Sequence, residues 1–112
     1  MKFYITLPEP KLALGSESQF SFSANGVDEF AAQLQRALSD SSYIQSWFNH
    51  LEPDDADNVS PDLLEIDSSA KVTGEQHDLS FSFVINTQLN GTAFKHRMRM
   101  LAGSNWQLTD VK

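Results

Sequence analysis

Between residues 27 and 51 the apolar side chains recur at helical spacing, and on both sides of that stretch they alternate. A chain whose hydrophobic period switches from two to about 3.6 and back must bury a sheet and helices against one another. Val27, Phe30, Ala31, Leu34 and Leu38 share one helical face. Asn25-Gly26 opens that helix, and Asp28 and Glu29 fall in its first turn, where the helix dipole favours negative charge. Asp40-Ser41-Ser42 breaks it and caps a second helix with the stripe Tyr43, Ile44, Trp47, Phe48 and Leu51. Pro53 stops the second helix, because the residue before proline is pushed out of helical geometry.

The alternating segments read as strands. Phe3, Ile5 and Leu7 lie on one side of the first, which Pro8 and Pro10 end. A loop over 8–18 carries the apolar patch Leu12-Ala13-Leu14, and Phe20 and Phe22 alternate in a second strand over 19–24. Beyond an acidic loop at 52–62, three more strands carry the sets Leu64, Ile66, Ser68, Ala70, Val72, then Leu79, Phe81, Phe83, Ile85, then Phe94, His96, Met98, Met100. A four-residue turn at 74–77 would set Val72 against Leu79. A two-residue turn at Asn90-Gly91, a hairpin dipeptide, would pair Leu89 with Thr92, Ile85 with His96 and Phe83 with Met98. Both turns then place the large apolar groups on one face. A turn over 103–105 leads to a closing strand, Trp106 to Val111, with Trp106 and Leu108 inward. The expected architecture is one α+β domain over 1–112, a curved antiparallel sheet in the order β-β-α-α-β-β-β-β with two helices packed on one face.

Helices followed by a meander that ends in Gly103 and the pattern Trp106-x-Leu108-x-Asp110-Val111 resemble the cystatin-like and nuclear-transport-factor-like cones over residues 92–111. The resemblance implies a curved sheet with a pocket between helices and sheet. It carries no function with it, and the strands before the helices depart from the cone order.

Composition narrows the function classes. Fifteen acidic against eight basic residues give a net charge of −7, which repels phosphate backbones and anionic lipid. Nucleic acid and membrane are therefore not expected as partners. The absence of cysteine removes disulfides, thiolate metal sites and cysteine nucleophiles. With 40% hydrophobic and 11% aromatic residues, 112 residues can build a core without such staples. Prolines and Glu9 interrupt the opening apolar run, so it does not read as a leader, and a cytoplasmic location is expected.

Two charged features stand out. Glu52, Asp54, Asp55, Asp57, Asp62, Glu65 and Asp67 form a segment without a basic residue. Asp54 and Glu65 have the first-to-twelfth spacing of a calcium loop, but Ala56 and Val59 occupy positions that need a ligand and a glycine. The segment reads instead as a docking surface for a basic protein partner, through Asp54, Asp55, Asp57, Asp62, Glu65 and Asp67, or as a solvated loop. Lys95, Arg97 and Arg99 alternate and are expected to point outward from their strand. With Lys71 nearby they could hold a phosphate or an acidic peptide, or serve as a solubilising surface.

His50, His77 and His96 lack the close helical spacing of a zinc site, and no Gly-x-Ser-x-Gly elbow is present. His96, in phase with Phe94 and Met98, is expected at the rim of the core. No catalytic, cofactor-binding or metal-binding residue is assigned. The expected function is a non-enzymatic protein-binding domain, a small acidic adaptor, inhibitor or immunity-type protein. The alternative is a small-molecule-binding or enzymatic cone with an apolar pocket holding His96 and a buried carboxylate.

Overall fold

The computed structural model describes residues 1–14 and 20–112. Its elements are β1 (Lys2–Leu7), α1 (Pro10–Ala13), α2 (Val27–Ser39), α3 (Ser41–Asn49), α4 (Pro53–Asp57), a 3-10 turn at Pro61–Leu64, β2 (Lys71–His77), β3 (Ser80–Asn86), α5 (Gly91–Ala102) and β4 (Gln107–Val111). The strands form one antiparallel sheet in the order β2-β3-β1-β4. The α+β class and the antiparallel sheet expected from the hydrophobic pattern are what the chain builds.

Pleat alternation divides the sheet into two faces. Phe3, Ile5 and Leu7 of β1 and Phe81, Phe83 and Ile85 of β3 are buried, and register sets Ile85 against Phe3, Phe83 against Ile5 and Phe81 against Leu7. Helices α2 and α5 cover this face: Phe3 stacks on Phe94 with ring centroids 4.1 Å apart, and Phe30 meets Phe81 edge-on at 5.2 Å. Each such side chain contributes roughly 1.5–3 kcal/mol by leaving water. Tyr4, Thr6, Ser82 and Val84 occupy the opposite, partly open face.

The two central helices follow their sequence signals. In α2 the buried residues are Phe30, Ala31, Leu34, Ala37 and Leu38, and Gly26 supplies the N-cap at φ 84°, a left-handed conformation suited to glycine. The Asp40 carboxylate caps α3 by accepting from the Ser42 amide at 2.9 Å, and this bond is what lowers the Asp40 pKa.

Three segments differ from expectation. Residues 91–102 are a helix, not a strand. Asn90 is its N-cap, with Oδ1 accepting from the Ala93 amide at 2.8 Å, and Gly103 ends it at φ 62°. The pairings of Ile85 with His96 and Phe83 with Met98 therefore do not exist, and the position of a cone's strand is taken by α5. The described part of the proposed strand 19–24 is a turn with a single bridge, Leu14 to Phe22, and residue 19 lies outside the described residues. Leu64 lies in the 3-10 turn, and β2 begins only at Lys71. Gly74, read as part of a turn, is mid-strand. A Cβ there would stand 2.8 Å from the Phe83 ring and 3.0 Å from Val27 Cγ2, so the ring lies across the strand where only glycine leaves room. The hairpin turn is Asp78-Leu79, with Asp78 at φ 54° and Leu79 85% exposed rather than inward.

Candidate functional site

The acidic segment folds into two short turns. Pro53 sits at the start of α4 and Pro61 at the start of the 3-10 turn, where a missing amide hydrogen costs nothing. Asp54 and Asp55 fall in the first turn of α4 and Asp62 in that of the 3-10 turn. Glu52, Asp54, Asp55, Asp57 and Glu65 are exposed, and Asp62 is half-buried. Asp62 accepts from the Ser60 hydroxyl and, at 3.1 Å, from Asn90 Nδ2, and these bonds hold its pKa below the usual carboxylate range. Among the described residues the ion pairs are His77 with Glu75 and Lys112 with Asp110, so none of these five exposed carboxylates, nor Asp62, is in one.

Asp67 does not belong to that surface. It is buried, and its carboxylate accepts from the Ser69 amide and hydroxyl, the Thr87 hydroxyl and the Gln88 amide at 2.6–3.0 Å. Led by the Ser69 hydroxyl and the Gln88 amide, these donors pull its pKa down to about 2. Asp67 thus ties the approach to β2 to the exit of β3.

The basic stripe is split. On a helix, residues two apart face different ways. Lys95 and Arg99 are exposed on α5, whereas Arg97 is 0% exposed and cannot meet a partner from its expected outward position. Its guanidinium donates to main-chain carbonyls: Ala37 at 3.0 Å, Leu63 at 3.1 Å, and Glu65. Ala37 lies in the last turn of α2, and Leu63 and Glu65 close the 3-10 turn. Carbonyls at helix ends lack intrahelical donors and carry the negative end of the dipole. One cation therefore caps two helical ends and fastens the acidic segment to α2 and α5. Burial lowers the Arg97 pKa to about 10, opposed by the neighbouring Tyr43, so the group stays charged at neutral pH. Sequence pattern marked Arg97 as basic; only the helical phase of Ala93, Phe94, Met98 and Leu101 would have shown it facing inward.

His96 lies at the rim of the core, its ring edge-on to Trp47 at 4.4 Å. Burial, then the charges of Arg97 and Arg99, lower its pKa. Among the described residues no group of three His, Asp or Glu side chains is placed to hold a metal ion, and no helix is long and apolar enough to cross a membrane. A groove of about 630 Å³ runs outside the core between α2 and α3, lined by Gln33, Arg36, Asp40, Tyr43, Asn49 and His50 among others. No protein-family model, curated protein or solved structure matches the chain.

Proposed function

We propose that this chain is a non-catalytic protein-binding domain that docks a basic partner on the segment 52–65. The observation that carries the reading is the set of exposed carboxylates, Glu52, Asp54, Asp55, Asp57 and Glu65, without cationic partners among the described residues, on a segment whose Leu63–Glu65 end is anchored by Arg97. A fixed display of like charge attracts a complementary surface without the entropic cost of ordering a loose loop. The packed aromatic interior between helices and sheet favours this reading over a ligand-binding cone.

The test is quantitative affinity capture with the whole chain and with the triple variant Asp54→Asn, Asp55→Asn, Asp57→Asn, followed by binding kinetics on the captured protein at low and high salt. The wild type should associate faster, with a steeper salt dependence, and the variant should unfold within about 0.5 kcal/mol of it. Equal association rates and equal salt slopes would remove the segment from the interface.

A further inference from the structure

We propose that two copies of this chain pair edge to edge through β2, antiparallel about a two-fold axis beside Thr73, joining their sheets. In the two-residue hairpin, His77 and Ser80 flank the turn, so hydrogen-bonded pairs toward β3 fall at His77, Glu75, Thr73 and Lys71. Val72, Gly74 and Gln76 therefore turn their main-chain groups outward from an edge strand. Val72 shows the direction: its amide donates to Gln35 Oε1 of α2 at 3.0 Å, a side chain standing where a neighbouring strand's carbonyl would. The edge is bordered by a groove of about 530 Å³ between α2 and β2, lined by Ala31, Ala32, Val72 and Gly74 among others.

Charge identifies the occupant. Helix α2 runs opposite to β2, since Gln35 meets Val72 while Val27 lies beside Gly74. Arg36 and Asp28 consequently line the groove toward its two ends, while Lys71 and Glu75 flank the same stretch of β2 with side chains on the other face of the sheet. The four steps from Lys71 to Glu75 span about 13 Å of strand. The eight steps from Asp28 to Arg36 span about 12 Å of helix. The midpoints of the two patterns along the chain, Thr73 and Ala32, both line the groove. A second copy turned about these midpoints sets Glu75 opposite Lys71 twice, in closely spaced non-hydrogen-bonded pairs, and brings each Asp28 toward an Arg36. Small Ala32 at the axis lets the two α2 helices approach. Val72 and Gly74 exchange main-chain bonds across the interface, replacing the Gln35 contact. The other edge, β4, is less suited: its pairing with β1 is bulged.

Sedimentation velocity on the whole chain, from about micromolar to about millimolar at low salt, tests this. A reversible monomer–dimer equilibrium is expected. Lys71→Glu and Glu75→Lys should each weaken it by about tenfold, because each reversal affects both symmetric pairs, and the double variant should return close to wild type. Asp28→Arg and Arg36→Asp, singly and together, repeat the test on α2 if a β2 variant does not fold. A monomer at every concentration would overturn the proposal. So would a dimer indifferent to the single reversals, or a double variant no tighter than the singles.

Discussion

Arg97→Ala should be among the most damaging single truncations of a charged residue in this protein, because the groups that need the guanidinium are main chain and cannot be mutated away with it. Loss of the side chain leaves the Ala37, Leu63 and Glu65 carbonyls without that donor. An orphaned buried acceptor costs about 1–3 kcal/mol. Taking about 2 for Ala37 and about 1 for each of the two part-buried carbonyls gives about 4 kcal/mol. Loss of the stem methylenes adds about 2 kcal/mol. Against this, the variant no longer buries a charge, whose cost is visible in the pKa of about 10 and offsets roughly 3 kcal/mol. The net is a destabilisation of about 3 kcal/mol. Urea unfolding followed by Trp47 and Trp106 fluorescence would read this as a midpoint lower by about 1.5–2 M, for a slope of about 1.5–2 kcal/mol per M. Arg97→Met, which keeps most of the stem, should recover roughly 1 kcal/mol. Lys95→Ala, exposed on the same helix, should stay within about 0.5 kcal/mol of wild type. An Arg97→Ala midpoint indistinguishable from that of Lys95→Ala would refute the two-ended cap.

Two further outcomes follow from single side chains. The Asp67 carboxylate has a folded pKa of about 2 against an ordinary value of 3.8, so the folded state binds fewer protons and the stabilisation is present above about pH 4 and lost as pH falls toward 2. Asp67→Ala should cost about 2 kcal/mol at pH 7 and flatten the acid limb of a stability–pH curve; an unchanged acid limb would contradict the four-donor site. Gly74→Ala should lower stability by about 1–3 kcal/mol, since its methyl meets the Phe83 ring and Val27, and an unchanged or raised thermal midpoint would show that the ring moves aside freely.

Most of the sheet and both long central helices were legible because one period dominates each segment. Phe3, Ile5 and Leu7 cannot be read helically, and Val27 to Leu38 cannot be read as a strand. Residues 91–102 carry both patterns at once. Phe94, His96, Met98 and Met100 alternate, while Ala93, Phe94, Arg97, Met98 and Leu101 recur at helical spacing. The Asn90-Gly91 dipeptide weighted the choice toward a hairpin, yet the same asparagine is a good N-cap, and Lys, Arg, Met, Leu and Ala after it are strong helix formers. Tertiary context decided it: β3 is flanked by β2 and by β1, so no edge was left for residues 92–101. The same misreading placed Arg97 outside and hid the anchor of the acidic segment. Asp67 groups with its acidic neighbours by sequence because composition does not distinguish a solvated carboxylate from one in an Asp-Ser-Ser turn that also takes donors from Thr87 and Gln88.

The sheet order also sets a timetable for synthesis. β1 is an interior strand, yet it emerges first, and its partners begin at Ser80 and Gln107. At about 5–20 residues per second, Phe3, Ile5 and Leu7 wait several seconds for β3 and longer for β4. During that interval α2 and α3 can form locally, but β1 has neither edge paired. Beside the β1–β4 pairing, the amide of Lys2 donates to the carbonyl of Lys112 at 2.7 Å and the amide of Lys112 to the carbonyl of Lys2 at 2.8 Å. Closing the sheet therefore depends on contacts between distant parts of the chain, a topology that slows folding. Until β3 is available, β1 is the strand that most needs shielding from its own kind.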